Sequence, residues 1–277
     1  MRILYISDFL PHEILGGGEL NDKELCNILS KDHDIELKRC RDIISEDILN
    51  RSVIVSNFIT LSEKIKSLLV KERNYVIYEH DHKYLRNRNP AVYENYLAPQ
   101  HDLINVDFYK NAKAIFCQSS FHKSIIDTNL KTTNVVNNSG NLWSLDSLNY
   151  MLEMYNKKKN DCFSILDSDI SHKNTSETIF YCKKKNLNFD LVSSSDYFDF
   201  LNKLSNNQKF IFLPKTPETL SRVAVESRMM GMKVFTNKNV GASYESWFDM
   251  KGKDLIDFIT QKRDSIPKSV IQHMSDT

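Results

Sequence analysis

Two glutamates stand seven residues apart in the segment Pro214-Lys215-Thr216-Pro217-Glu218-Thr219-Leu220-Ser221-Arg222-Val223-Ala224-Val225-Glu226. The segment follows the apolar run Lys209-Phe-Ile-Phe-Leu and leads into a helical pattern expected over Thr219 to Met230, with Gly231 at its C-terminal end. Glu218 is thus expected in a strand-to-helix loop, where open α/β sheets bind ligands, and Glu226 about two turns into the helix. Each carboxylate offers two acceptor oxygens to neighbouring hydroxyls, which suits polyol recognition: one could reach a sugar and the other a ribose. Ser221, Arg222 and the unbonded N–H groups of the first helical turn could hold phosphates between them. On spacing alone a plainer reading has equal standing, with Glu218 complementing the helix dipole and Glu226 on a solvated face.

Three further clusters carry possible chemistry. Gly16-Gly17-Gly18-Glu19 follows the first strand and opens a helix, so its backbone N–H groups could approach a phosphate or sugar. It matches neither the Gly-x-Gly-x-x-Gly dinucleotide fingerprint nor a P-loop, which weakens a Rossmann oxidoreductase reading. Tyr78-Glu79-His80-Asp81-His82 closely follows an apolar strand, which puts its polar groups at the carboxyl edge of a sheet. Two imidazoles are a poor metal set, and substrate binding is preferred, His80 before His82. Lys83-Tyr84-Leu85-Arg86-Asn87-Arg88-Asn89 adds three cations and a ring, which could grip nucleic-acid phosphates or simply form a solvated loop. Lys157–Lys159 and Lys183–Lys185 read as an exposed linker and a helix end.

Strands must carry these loops, and the apolar runs supply them. Arg2-Ile-Leu-Tyr-Ile-Ser, Ser52-Val-Ile-Val-Ser, Asn74-Tyr-Val-Ile-Tyr and Lys113-Ala-Ile-Phe-Cys-Gln alternate with helical spacing at Leu20 to Leu29, at Leu61 to Leu69 and over Ser120 to Thr128. The alternation turns polar at Asn156-Lys-Lys-Lys-Asn-Asp161 and then resumes. Strands are expected at Cys162-Phe-Ser-Ile-Leu, Phe189-Asp-Leu-Val, Lys209-Phe-Ile-Phe-Leu and Lys233-Val-Phe-Thr-Asn, with helices over Ser176 to Lys185 and Tyr197 to Leu204. Such alternation predicts parallel sheets covered on both faces. The expected organisation is an N-terminal Rossmann-like domain over 1–157, a C-terminal one over 158–245 and a helical tail over 246–277.

Composition narrows the classes. The 277 residues carry 37 Lys+Arg against 36 Asp+Glu, a formal charge of +1, so no global field draws the chain to nucleic acid or anionic lipid. With 41% hydrophobic and 26% charged residues it should build an ordinary core. No apolar stretch approaches the roughly 20 residues that span a bilayer, and Asp8 ends the first one too early for a signal peptide. A cytoplasmic protein is expected. The five cysteines show neither a Cys-x-x-Cys pair nor zinc spacing, so reduced thiols are expected.

Over nearly its whole length the chain resembles the retaining GT-B glycosyltransferases of the family four type, which carry a Glu, seven residues, then Glu motif. The resemblance rests on the Gly-Gly-Gly-Glu loop, Tyr78-Glu79-His80-Asp81-His82, Cys117-Gln-Ser-Ser-Phe-His122 and, most specifically, Thr216-Pro-Glu-Thr through Gly231. It implies two Rossmann-like domains facing across a cleft and a nucleotide-diphosphate sugar, a UDP-sugar first, as co-substrate. It implies catalytic roles for Glu218, His80 and Lys173, with the donor held by Gly16, Gly17, Gly18, Lys173, Thr219, Leu220, Ser221, Arg222 and Glu226. The acceptor side would use Glu19, His80, Asp81, His82, Lys83, Arg86 and Arg88. The family's diphosphate loop corresponds to Leu166-Asp-Ser-Asp-Ile-Ser-His-Lys-Asn174, where Lys173 fits the family's lysine but the arginine position is acidic or polar. Arg222 could compensate. Asp167-Ser168-Asp169 also matches the Asp-x-Asp metal motif of the other glycosyltransferase fold, GT-A, but such triplets are common by chance; no metal and no cofactor is expected. The N-terminal part is similar to small bacteriophage-encoded sugar transferases, some of which modify hydroxymethylated cytosine. With the cations of the Lys83–Arg88 loop as its evidence, double-stranded phage DNA is the favoured acceptor, and a lipopolysaccharide or capsule glycan the alternative. A non-catalytic nucleotide-sugar or DNA-binding module on the same scaffold is a third reading.

Overall fold

A computed structural model describes all residues except Pro11, His12, Ile14, Leu15, Asp276 and Thr277. The chain divides into two compact units, one of residues 1–142 with 262–277 and one of residues 143–261. These do not follow the expected boundaries. The polar stretch 156–161 lies inside the second unit, running from the end of a helix into the first two residues of a strand that both belong to it, and the C-terminal tail is divided between the units.

The first unit runs β1 (Arg2–Ser7), α1 (Gly17–Leu29), β2 (Asp34–Arg39), α2 (Ser45–Ile48), β3 (Ser52–Val55), α3 (Glu63–Glu72), β4 (Tyr75–Tyr78), α4 (Val106–Asn111), β5 (Ile115–Cys117), α5 (Ser120–Leu130) and β6 (Val135–Asn137). Among the described residues its sheet has six parallel strands in the order β2-β1-β3-β4-β5-β6. Strand periodicity sends alternate side chains to opposite faces, and both faces are covered. Leu4, Ile6, Val53, Val55, Tyr75 and Ile77 pack with Ile65 and Leu69 of α3 and Ile126 and Leu130 of α5. Ile3, Tyr5, Ile54, Val76 and Tyr78 pack instead with Leu25 and Leu29 of α1 and with Ile266 and Val270 from the end of the chain.

The second unit runs α6 (Leu145–Tyr155), β7 (Asn160–Leu166), α7 (Thr175–Lys184), β8 (Phe189–Val192), α8 (Tyr197–Leu204), β9 (Asn207–Phe212), α9 (Arg222–Met229), β10 (Lys233–Thr236) and the first part of α10 (Gly252–Ser275). Its four-stranded parallel sheet has the order β10-β9-β7-β8. The expected parallel α/β architecture is present in both units. Gly231 ends α9 at φ +81, where a Cβ would also strike the Tyr155 ring, so this helix stop admits no ordinary side chain.

One element starts later than its periodicity predicts. Residues 218–220 stay extended: the Glu218 amide donates to Asn239 O at 2.7 Å, and its carbonyl accepts from the Gly241 amide at 2.9 Å. Leu220 is buried, Ser221 turns the backbone at φ +74, and α9 begins only at Arg222. Glu226 therefore lies little more than one turn into its helix. Among the described residues no helix is long and apolar enough to cross a membrane.

Candidate functional site

In the second unit the loops after β7 and β9 converge because those strands are neighbours. Lys173, in the turn before α7, places its Nζ 2.9 and 3.0 Å from the two carboxylate oxygens of Glu218. The ammonium also lies 5.8 Å from the centre of the Phe212 ring at the end of β9. Both charged groups keep partial access to solvent. The lysine and the first glutamate, 45 residues apart, thus form one group at the carboxyl edge of the sheet.

Glu226, on α9 of the same unit, is buried, which removes the solvated-face reading. Its Oε1 accepts from Trp143 Nε1 at 2.9 Å and from the Tyr197 hydroxyl at 2.7 Å, and Arg222 Nε lies 3.5 Å away. The Arg222 guanidinium stacks 4.2 Å above the Trp143 ring, so the arginine expected to serve a diphosphate is also committed to this cluster. Between the two glutamates, Ser221 has no side-chain capping bond to α9, and its Oγ is buried with no hydrogen-bond partner among the described residues. An unfilled buried hydroxyl at a helix N-terminus is disposed to bind an oxygen-rich ligand. Thr219 and Leu220 supply the extended lead-in; Leu220 is buried in the hydrophobic core of this unit and presents no side chain to a ligand. Asp167 and Asp169 are exposed, and no group of three His, Cys, Asp or Glu that could hold a metal ion occurs among the described residues.

In the first unit the glycine loop and the histidine segment meet. A Cβ on Gly18 would come within 3.3 Å of the His80 ring, a tight contact, whereas one on Gly16 would meet only the flexible end of the Glu19 side chain. His80 donates from Nε2 to Asp22 Oδ1 at 2.5 Å, and the Gln118 side-chain amide lies 2.6 Å from Nδ1. Asp22 takes a further bond from Ser56 Oγ at 2.7 Å, and the Gln118 carbonyl accepts from Asn141 at 3.2 Å. Burial disfavours the charged imidazole, but the Asp22 carboxylate outweighs it and raises the His80 pKa above its ordinary value. Both ring nitrogens are engaged, so His80 offers no free ring nitrogen to a ligand.

Two expectations are corrected here. His82 is buried, bonded through Nδ1 to the Tyr84 hydroxyl and stacked edge-on against His122. Burial brings its pKa down to about 4, so it is a neutral interior histidine and no acceptor contact. Lys83 is 2% exposed and forms ion pairs with Glu79 and, at 2.9 Å, Asp81. Its ammonium is spent inside the protein, because the turn after β4 folds inward and the Tyr109 hydroxyl closes the other side of Glu79. Burial raises the Glu79 pKa, while Asp81, despite burial, is held well below the usual carboxylate range by Lys83 and Arg88. Asp81 and Arg88 keep partial exposure, and Arg86 points its guanidinium towards the His101 carbonyl and Asp102.

Sequence reasoning passed over Asp22, Gln118, Trp143 and Tyr197. Asp22 carried a signal: with Asn21 it falls on the buried face of α1, where an acid needs a partner. Trp143 and Tyr197 are aromatics with a polar tip, which buried sites must satisfy.

No protein-family model and no curated protein matches the chain in sequence. Among solved structures it is similar to Anabaena HepE in complex with UDP, with a TM-score of 0.51 and 12% identity over 99% of this chain and 95% of that one. HepE in complex with UDP and glucose gives a TM-score of 0.50 and 14% identity over 99% and 94%. WaaG, a glycosyltransferase involved in lipopolysaccharide biosynthesis, aligns over 98% and 94% at a TM-score of 0.48 and 9% identity. At the identities of the two HepE likenesses it is the fold that is shared: the parallel-sheet α/β architecture of the GT-B type.

Proposed function

We propose that the chain is a glycosyltransferase that takes its sugar from a nucleotide-diphosphate sugar bound by the second unit. The observation that carries this reading is the pairing of Lys173 with both oxygens of Glu218, beside the uncapped, serine-led start of α9. A bound donor would exchange that internal pair for external partners: sugar hydroxyls on the Glu218 carboxylate, and diphosphate oxygens on the Lys173 ammonium. The N–H groups opening α9 and the Ser221 hydroxyl, three residues on from Glu218, would take up the charge that develops on the leaving diphosphate. Glu226, fixed by Trp143 and Tyr197, is proposed to face the ribose. UDP is the nucleotide we put first, because HepE, whose fold the chain shares, is seen with UDP.

Retention of configuration, with the acceptor hydroxyl attacking from the side the diphosphate leaves, and independence from metal follow the resemblance of the two-glutamate motif. For the acceptor, a glycan or its small precursor takes precedence over 5-hydroxymethylcytosine in DNA. The DNA reading rested on three cations, and one of them, Lys83, is buried and neutralised. The test is incubation with a panel of nucleotide sugars and glycan acceptors, with hydroxymethylated and plain DNA in parallel, read by mass spectrometry. Release of nucleotide diphosphate with sugar added to an acceptor is expected, the anomeric configuration being read by NMR. Binding of UDP without any transfer would leave a nucleotide-sugar-binding module, and absence of UDP binding would overturn the reading.

A further inference from the structure

A cavity of about 540 Å³ opens in the first unit between the loop after β3, the loop after β4, α3 and the turn before α4. It lies beyond the carboxyl ends of two adjacent parallel strands, and its size falls within the roughly 300–1,000 Å³ typical of small-ligand sites. Its lining mixes cationic and apolar side chains. Lys66, Lys83, Arg86 and Arg88 border it against one acid, Glu63, while Phe58 and Leu85 contribute apolar surface.

The cations differ in how firmly they are committed. Lys83 is neutralised from behind and sets the floor. Lys66, whose side chain is almost wholly buried, reaches Asn105 Oδ1 at 2.9 Å and Glu63 Oε1 at 2.8 Å. The Glu63 side chain is 84% exposed, so this partner is screened by water and easily displaced. The two lysine ammonium groups flank one ring, 5.8 and 5.5 Å from the Phe58 centroid, which holds both charges over an apolar surface. Arg86 and Arg88 are substantially exposed; Arg88 meets Asp81 at 3.2 Å and Arg86 the His101 carbonyl at 3.3 Å, solvent-screened contacts that leave further guanidinium N–H groups to meet phosphate oxygens.

We infer that this cavity binds a small molecule bearing a phosphoryl group, with the phosphate between Lys66 and the two arginines and a sugar or hydrocarbon body against Phe58. That this molecule is the acceptor rests on the glycosyltransferase reading; the binding itself does not. The phosphate could be carried by a free sugar phosphate or by a lipid headgroup, and the experiment separates them.

Binding of glucose 6-phosphate is measured by calorimetry, and binding to phosphatidylcholine vesicles with and without phosphatidylglycerol by sedimentation. Wild type, Lys66→Met and Arg88→Met are compared, with UDP titrated into each. The expected result is phosphate-dependent binding by wild type to one of the two probes, weakened at least tenfold in both variants, with UDP affinity unchanged. Sugar-phosphate binding assigns a soluble ligand, and vesicle binding alone assigns a lipid-borne one. Arg88 is half exposed, so its replacement leaves the fold intact even if Lys66→Met does not. No binding to either probe, or equal binding by wild type and Arg88→Met, overturns the inference. Failure of UDP to bind wild type would instead count against the transferase reading while the cavity measurement stands.

Discussion

Lys173 Nζ lies nearly equidistant from the two carboxylate oxygens of Glu218, at 2.9 and 3.0 Å, although the two residues belong to different strand-to-helix loops. If the proposed donor binds here, it must open this partly buried pair. Glu218→Gln is therefore expected to keep the fold and to lower donor turnover roughly tenfold to a hundredfold, as removal of about 1–3 kcal/mol of charged hydrogen bonding requires. Lys173→Met should weaken UDP binding by a similar factor. Wild-type turnover by Glu218→Gln would remove this pair from the site; steady-state kinetics and calorimetry decide.

Transfer is expected to continue in EDTA. Under the proposed function, Lys173, the Ser221 hydroxyl and the opening N–H groups of α9 would supply the positive potential for a departing diphosphate in place of a cation. Loss of turnover on chelation, restored by Mn²⁺, would bring the exposed Asp167 and Asp169 into the chemistry.

Trp143→Phe tests the support behind Glu226. The substitution keeps the ring under Arg222 but removes the indole N–H that reaches Glu226 Oε1, leaving a buried carboxylate one donor short. A stability loss of about 1–3 kcal/mol in urea denaturation is expected, together with weaker UDP binding. Unchanged stability would mean that Glu226 is held by Tyr197 and Arg222 alone.

Much of this was legible in the sequence. The buried parallel strands announced themselves as unbroken apolar runs, since a strand covered on both faces has no solvent side to record. The edge strand β2, Asp34–Arg39, escaped notice because its sequence, Asp-Ile-Glu-Leu-Lys-Arg, carries charge at every second position and no residue of it is fully buried. The start of α9 was read three residues early, since periodicity cannot register the pairing of Glu218 with the Asn239–Gly241 segment or the positive φ of Ser221. Both glutamates of the two-glutamate spacing fall in one unit, Glu218 ahead of α9 and Glu226 on it. Spacing could not show that Lys83 turns inward, because burial of a lysine depends on two acids brought to it by the fold of its own loop.

Acid should destabilise the first unit through His82. Its pKa is about 4 in the folded chain against an ordinary 6.5, so between those values the unfolded chain binds the extra proton and stability falls as pH falls. At about 1.4 kcal/mol per unit this amounts to roughly 3 kcal/mol across the interval. His122, also lowered by burial and by its neighbour His82, acts in the same direction. His80 acts oppositely: with its pKa raised, its contribution is complete below the ordinary histidine value and is lost as pH rises through the folded one. Urea denaturation across this range should show a positive dependence of stability on pH that shrinks by about one proton in His82→Asn and grows in Asp22→Asn. A wild-type stability that rises towards pH 4 would contradict the buried, neutral placement of His82.

Lys83 offers the clearest separation between an interior and a surface role. Lys83→Met strands Glu79 and Asp81 without their common cation, and breaking a buried ion pair costs roughly 3–5 kcal/mol. The loss should be largest near neutral pH and smaller in acid, where Glu79, already raised by burial, takes up a proton in place of the ammonium. Arg86 and Arg88 are substantially exposed, and replacing both by Met should leave stability within about 0.5 kcal/mol. A lysine that gripped nucleic-acid phosphates would behave in the reverse way. Its replacement would leave the urea transition in place and flatten the salt dependence of duplex DNA binding by about one phosphate contact. Denaturation curves and DNA titrations at several salt concentrations, run on the same two variants, distinguish the outcomes; an unshifted transition in Lys83→Met would return this lysine to the surface.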